Sequence, residues 1–191
     1  MGLKRLGDCS DGADSITLIG PDEPRFWSVF CKSPEYRDGA ADPLDRWSLR
    51  VITGIADTLN AEPLFPFGGP PYAQFFTWAK QSGRFWASPI GFLVHDDGGL
   101  FVSFRGALRW KTTARSDPRI QPCTACAKPC ATACPVGAFS NGYDVAACKA
   151  HVTSDAGASC RTAGCLARRA CPVGQGTRLP DQAAFHMEAF L

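Results

Sequence analysis

Short apolar runs, separated by Gly and Pro, mark the first part of the chain. Residues 15–20 (SITLIG) and 26–31 (FWSVFC) are rich in β-branched or aromatic side chains and are bounded by turn residues, a pattern typical of β-strands. Residues 1–13 are polar and rich in Gly and Asp, so we expect a loose lead-in. The pattern therefore predicts two early strands joined by a turn at PDEPR.

The clearest predicted helix covers residues 43–59. Asp42 stands where a side chain can cap this helix, and Pro43 suits its first position. Apolar residues recur at spacings of three and four, which gives one buried stripe along the helix. The stripe consists of Leu44, Trp47, Val51, Ile55 and Leu59. A Pro- and Gly-rich loop follows, and a second helix is predicted over residues 72–82, ended by Gly83.

A β-hairpin is predicted from residues 89–95 and 100–110, with the sequence DDGG between them. Alternating polar and apolar residues in the second run favour a half-buried strand. The chain then turns polar up to Asp117-Pro118, where we place a module boundary. We predict an α+β protein with an N-terminal antiparallel sheet and helices over residues 1–117, followed by a second module over residues 118–191.

Composition narrows the classes of function. The chain of 191 residues is 45% hydrophobic and 20% charged, with a formal net charge of +2, which is ordinary for a globular protein. Such a weak charge does not indicate nucleic-acid binding or a polybasic membrane surface. The first residues lack an apolar signal core, and no run reaches the roughly 18 apolar residues of a membrane span. We expect a cytoplasmic protein without a membrane partner.

The cysteines change this picture most. Of 10 cysteines, all but Cys9 and Cys31 fall within residues 123–171, and each half of that stretch ends in Cys-Pro-Val-Gly. In a reducing cytoplasm, clustered cysteines are more often metal ligands than disulfides. The spacing predicts a ferredoxin-like module with two [4Fe-4S] clusters, each held by four thiolates. Cys9 is expected to be a surface thiol and Cys31 a small buried residue.

The position of each proline predicts how the clusters share their ligands. In two-cluster ferredoxins the cysteine before the proline ligates the other cluster. Cys171 should therefore join the first three cysteines of the run, and Cys134 should join the later ones. The first predicted ligand set is Cys123, Cys126, Cys130 and Cys171. The second is Cys134, Cys148, Cys160 and Cys165, with Cys148 on a short helix that Asp144 can cap.

The spacing departs from the bacterial ferredoxin pattern. One extra residue separates Cys126 from Cys130, where Lys128-Pro129 stands, and the later cysteines are more widely spaced. Structural zinc in two four-cysteine sites is the alternative that local spacing leaves open. Basic residues also lie among the predicted ligands, where they can stabilise reduced clusters or dock an acidic redox partner. These are Lys149, Arg161, Arg168 and Arg169.

An α/β module followed by an eight-cysteine module resembles the arrangement in epoxyqueuosine reductase and the reductive dehalogenases. Residues 143–152 (YDVAACKAHV) stand where epoxyqueuosine reductase carries its isolated fifth cysteine. Residues 42–47 (DPLDRW) and 98–108 (GGLFVSFRGAL) are similar to the nitroreductase-like, cobalamin-processing module of the methylmalonic aciduria type C protein family. The resemblance implies a cobalamin- or flavin-binding fold fed by two [4Fe-4S] clusters. Arg105 is then the candidate anion contact of the upstream module.

Three functions follow as hypotheses. The first is an iron–sulfur electron-transfer protein that serves a redox partner protein. The second is a reductase whose upstream module binds cobalamin or flavin, and this would make the protein an iron–sulfur oxidoreductase. The third is a structural zinc protein that acts as an interaction module. The sequence leaves open whether the protein is an enzyme and which oligomeric state it adopts.

Overall fold

The computed structural model describes residues 1–112 and 117–191, and it has a mixed α+β architecture with an antiparallel sheet and several helices, as predicted. The strands are β1 (Leu3–Asp11), β2 (Asp14–Pro21), β3 (Glu62–Leu64), β4 (Phe85–Ala87), β5 (Leu93–His95) and β6 (Gly106–Trp110). The helices are α1 (Arg25–Phe30), α2 (Pro34–Arg37), α3 (Pro43–Leu59), α4 (Phe75–Gln81), α5 (Val145–Thr153), α6 (Ala158–Ala163), α7 (Leu166–Arg169) and α8 (Pro180–Phe190).

The chain divides into two compact units that are interleaved along the sequence. The first unit comprises Met1–Phe85 and Ser103–Arg119, and the second comprises Trp86–Val102 and Ile120–Leu191. Residues 86–102, which the sequence analysis placed in the first module, therefore belong to the second compact unit. No helix in the described ranges is long and apolar enough to cross a membrane.

The sheet of the first unit has the strand order β1-β2-β6-β3, and every neighbouring pair is antiparallel. β2 confirms the strand predicted at residues 15–20. The lead-in predicted for residues 1–13 is wrong, because these residues contain β1. A β-bulge between Arg5 and Gly7 shifts the register, so that Leu6 and Cys9 are both buried although they are three residues apart. This break in the two-residue period hides the strand from pattern analysis. Cys9 is thus a buried thiol and not a surface one.

The strand predicted at residues 26–31 is wrong, since α1 occupies this segment. Phe26, Trp27 and Phe30 are all buried, and a spacing of four residues brings the two phenylalanines onto one helical face. Phe26 and Trp47 meet edge to face with ring centroids 5.5 Å apart. The aromatic run therefore builds the core as a helix, and Cys31 lies half-buried at its end.

α3 confirms the predicted helix, but its start and its buried face differ from the prediction. Asp42 adopts a left-handed backbone conformation, and its side chain makes no capping hydrogen bond. The buried face is rotated toward Ser48, Ile52 and Ala56, whereas Leu59 is 48% exposed. α4 confirms the second helix, although it begins at Phe75 and not at residue 72.

The predicted hairpin of residues 89–95 and 100–110 does not form. β5 pairs with β4 in a separate two-stranded sheet, whereas β6 joins the large sheet beside β2. His95 closes a tight turn here, because its Nδ1 accepts hydrogen bonds from the backbone N–H groups of Asp97 (3.2 Å) and Gly98 (3.0 Å). His95, the last residue of β5, also forms an isolated antiparallel bridge with Gly99.

Candidate metal centre

The loop of residues 123–134 carries the first cysteines, and its backbone accommodates the extra residue that the sequence shows. Lys128 adopts a left-handed conformation (φ 58°) and precedes a 3₁₀ turn, Pro129–Ala131, that carries Cys130. The backbone N–H of Lys128 donates a hydrogen bond to Cys126 Sγ at 3.3 Å. The insertion is therefore absorbed in a tight bend, and a backbone N–H group is directed at the Cys126 sulfur.

Four cysteines approach one another in what we call the first thiol group: Cys123, Cys126, Cys130 and Cys171. Burial raises the pKa of Cys130, and the neighbouring charges of Cys171, Cys123 and Cys126 raise it further. The pKa of Cys123 is raised in the same way, by burial and then by Cys171 and Cys126. The fold thus brings Cys171 to the cysteines that the sequence analysis grouped with it.

A glycine-rich contact fixes the backbone around Cys171. Gly99 has a left-handed φ of +57°, and a Cβ there would lie 2.1 Å from the Val173 carbonyl oxygen and 3.3 Å from Cys171 Sγ. Gly174 has φ +68°, and a Cβ there would lie 2.8 Å from the Gly98 carbonyl oxygen. Both positions require glycine, because a side chain would strain the backbone and push the two segments apart.

The other four cysteines form the second thiol group: Cys134, Cys148, Cys160 and Cys165, which line one small, mostly apolar cavity of about 20 Å³. α5 carries Cys148, α6 carries Cys160, and α7 begins directly after Cys165. The predicted cap of α5 is confirmed, because Asp144 Oδ1 accepts a hydrogen bond from the Ala147 N–H at 2.9 Å. Two helices and the residue before a third thus bring their cysteines to the cavity that Cys134 also lines.

Backbone and aromatic groups surround the second thiol group. The Ala138 N–H donates to Cys134 Sγ at 3.4 Å. Burial raises the pKa of Cys165, while hydrogen bonds from the N–H groups of Arg168 and Ala167 oppose this effect. Tyr143 hydrogen-bonds to Cys148, and burial followed by this contact raises the pKa of the tyrosine. These donors supply the contacts to sulfur that tune iron–sulfur sites.

His151 is a site residue that the sequence analysis missed. It lines the second cavity, and its Nε2 is buried without a hydrogen-bond partner among the described residues. It follows Cys148 by three residues on α5, so the two side chains share one helical face. The Cys-x-x-His spacing was a signal for this residue.

Within the described ranges, no three His, Cys, Asp or Glu side chains are placed to hold one metal ion together. A zinc centre requires such a set, with each sulfur about 2.3 Å from a single ion. A four-iron cluster makes a different demand, because each iron takes one thiolate and the sulfurs surround a larger body. Soft thiol donors fit a cluster by their chemistry. Cys130, Cys160 and Cys171 are buried, the other five motif cysteines are half-buried, and backbone N–H groups donate to some of the sulfurs.

Arg105 lies in the first unit. Its Nη1 is 3.4 Å from Asp45 Oδ1, and its Nε donates to the Phe104 carbonyl at 2.9 Å. Burial lowers the pKa of Arg105, and Asp45 opposes the shift. A cavity of about 420 Å³ in the same unit is lined by other residues, namely Leu49, Pro63, Leu64, Phe65, Phe67, Gly68, Pro71 and Ala73. The role of Arg105 as an anion contact stays a prediction.

Comparison with known proteins adds no relative. No family model, no curated protein and no solved structure matches this chain.

Proposed function

We propose that this chain is an electron-transfer protein that carries two [4Fe-4S] clusters, one on each thiol group. The observation that supports the proposal is the proximity of the motif cysteines: Cys171 lies close enough to Cys123 and Cys130 to raise their pKa values, and Cys134, Cys148, Cys160 and Cys165 line one cavity. Bound clusters would supply reversible one-electron chemistry. The cysteines act as ligands and not as nucleophiles.

The chain's own residues would prepare these sites in two ways. Backbone N–H groups at Cys126, Cys134 and Cys165 stabilise negative charge on sulfur. Apolar side chains exclude water from the first thiol group, since Cys130 and Cys171 belong to a buried cluster with Ile90, Val94 and Leu100. Low exposure and N–H···S contacts set the reduction potential of such sites, so the two groups should differ in potential.

Spectroscopy on anaerobically purified protein tests this proposal. We expect broad visible absorbance that bleaches with dithionite, together with an electron paramagnetic resonance signal from the reduced form. Colourless protein that contains stoichiometric zinc and lacks acid-labile sulfide, even after anaerobic reconstitution with iron and sulfide, would contradict the proposal. That result would support the structural zinc module instead.

A second candidate is a reductase in which the first unit binds cobalamin or flavin and the clusters feed it. The observation that favours it is the apolar, partly aromatic cavity of about 420 Å³ that includes Phe65 and Phe67, since cofactor sites are concave and mostly apolar. Titration of reconstituted protein with cobalamin and with flavin tests this candidate. The absence of a spectral change at about 100 μM of either would contradict it, because working cofactor sites bind more tightly.

A further inference from the structure

The second compact unit contains another cavity, and three arginines line it. It measures about 350 Å³ and lies against Cys171 on the side lined by Val173, Gly174 and Gly176. Its basic lining residues are Arg168, Arg169 and Arg178. Cys171 is the only motif cysteine among the residues that line it, so this cavity adjoins the first thiol group at Cys171 and shares no lining residue with the cavity of the second thiol group. Its size lies at the lower end of the range of small-molecule sites.

Two of these arginines lie against the same ring, that of Phe101. The guanidinium carbon of Arg168 lies 4.9 Å from the Phe101 ring centroid, and that of Arg178 lies 5.0 Å from it. Arg168 Nε donates to the Leu100 carbonyl at 2.7 Å, and Arg178 Nη2 donates to the Phe101 carbonyl at 2.9 Å. These contacts fix the planes of both guanidinium groups before any ligand arrives.

Arg169 carries a donor that the protein does not use. Its Nη2 donates to Ser159 Oγ at 2.7 Å, but its Nε is buried without an acceptor among the described residues. Buried donors in native proteins are nearly always paired with protein, water or ligand. Arg169 also lines the cavity, where its guanidinium charge favours an oxygen-rich, negatively charged ligand.

The charge of the cavity is not balanced by acidic side chains. None of the described residues that line it is Asp or Glu, and burial lowers the pKa of Arg168. Asp181, the nearest acidic residue in sequence, is exposed and is not among the lining residues. The 11-residue helix α8 begins at the lining residue Pro180, so the positive end of its dipole adds to the arginines.

We propose that this cavity is a binding site for a small oxyanion, either a phosphate or a carboxylate group, carried by a ligand that sits beside Cys171. Arginines recognise both groups through paired, charge-assisted hydrogen bonds. The proposal goes beyond electron transfer, because it gives the second unit a ligand of its own next to the first thiol group. It also gives the arginines a role other than neutralising the charge of bound clusters.

Calorimetric titration of the anaerobically purified protein tests the site. The probes are inorganic phosphate, pyrophosphate and malonate, each compared with chloride at the same ionic strength. We expect saturable binding of at least one oxyanion and not of chloride. The Arg169→Gln variant should bind it at least about tenfold more weakly, because a hydrogen bond to a charged group is lost. The phosphate and malonate titrations distinguish a phosphate site from a carboxylate site.

The matched control is Arg161→Gln, because Arg161 lies in the same unit but donates to the Val152 and Ser154 carbonyls, away from this cavity. That variant should bind the oxyanion as the unchanged protein does. If Arg169→Gln fails to fold, Arg178→Gln should show the same loss of affinity. Arg169→Lys, which keeps the charge but not the planar donor group, should bind with intermediate affinity.

Two results would overturn the proposal: no saturable binding of any of the three probes, or equal affinity in the unchanged protein, Arg169→Gln and Arg178→Gln. Iron and sulfide are measured on the same samples, which keeps this proposal separate from the proposed function. Oxyanion binding by protein that cannot be loaded with iron would contradict only the electron-transfer proposal. Iron-loaded protein that binds no oxyanion would contradict only the oxyanion site.

Discussion

The two compact units have cores of different composition. In the first unit, Phe26, Phe30 and Ile52 are fully buried and Trp47 is 2% exposed, and they pack a 17-residue helix and short helices within a unit built on a four-stranded sheet. In the second unit the helices are 4 to 11 residues long, and two cysteines belong to the buried core. Helices this short are not stable alone. Under the proposed function, metal bound by these thiols would add to the folding free energy of the second unit.

Removal of metal should have the most different effects on the stability of the two units. We expect a strong iron chelator under reducing conditions to unfold the second unit and to leave the first folded, because all eight motif cysteines lie in the second unit and bound metal would contribute to its folding. Amide hydrogen exchange, read peptide by peptide, measures this. Protection should be lost across α5 to α8 and retained in β1, β2 and α3. Equal loss in both units, or no loss in either, would contradict the difference that we describe.

Single cysteine replacements test how the second unit divides its ligands. Cys171→Ser should damage the cluster on Cys123, Cys126 and Cys130, whereas Cys165→Ser should damage the other cluster. Each variant should lose about half of the iron, and the two should retain different electron paramagnetic resonance signals. Cys9→Ser is the matched control, because Cys9 lies in the first unit and burial raises its pKa to about 11. Identical remaining signals in the two cluster variants would show that the ligand assignment is wrong.

A substitution that creates a cavity in the core of the first unit should lower its stability but leave the metal content of the protein unchanged. Trp47→Ala removes a side chain that is 2% exposed, and we expect it to lower the free energy of unfolding of the first unit by about 3–5 kcal/mol. Leu59→Ala on the same helix is the control, since Leu59 is 48% exposed and its loss should change stability by about 0.5 kcal/mol or less. Denaturant unfolding, with iron measured in parallel, checks both. Loss of iron in Trp47→Ala would contradict the expectation that a change in the core of the first unit leaves the metal content unchanged.

The smallest expected effect concerns an ion pair of the first unit. Arg50 Nε lies 2.5 Å from Glu35 Oε1, and mainly this hydrogen bond lowers the pKa of Glu35 from 4.5 to about 2. A lowered pKa in the folded state stabilises the protein above the unfolded pKa, and this stabilisation is lost as pH falls from about 4.5 toward about 2. Because Arg50 is 55% exposed, solvent screens the pair and we expect about 1 kcal/mol.

Glu35→Gln should remove that contribution at neutral pH and weaken the acid dependence of the first unit's stability. Hydrogen exchange of α2 and α3 at several pH values measures both effects. Glu62→Gln is the control, because the Glu62 carboxylate pairs with Arg109 at the surface and is 56% exposed. An unchanged acid dependence in Glu35→Gln would show that another carboxylate is responsible.

Sequence patterns predicted the regular parts of this fold and missed the parts that long-range contacts decide. α3 and the cap at Asp144 follow from local periodicity and capping chemistry. β1 was missed because the bulge at Leu6 breaks its alternation. The hairpin was wrong because β6 pairs with β2, about 90 residues earlier in the chain, and no local pattern reports such a partner.

The sequence likewise predicted one part of the candidate site and missed another. The two Cys-Pro-Val-Gly endings led to the crossed grouping, and the fold brings the same fours together. Their identity as cluster ligands stays a prediction. His151 was missed although the Cys-x-x-His spacing indicated it. The arginine cavity was not predicted, because an arginine carries no local sign that it faces a cavity. Only the packing of Phe101 against Arg168 and Arg178, which lie 67 and 77 positions further along the chain, creates that site.

The central claim is that the motif cysteines hold two four-iron clusters. The most direct test is the iron and acid-labile sulfide content of anaerobically purified, reconstituted protein, measured with its Mössbauer spectrum. We predict about eight iron and about eight sulfide per chain, in two spectroscopically distinct four-iron environments. Zinc without sulfide, or iron bound as isolated tetrathiolate ions, would contradict the claim.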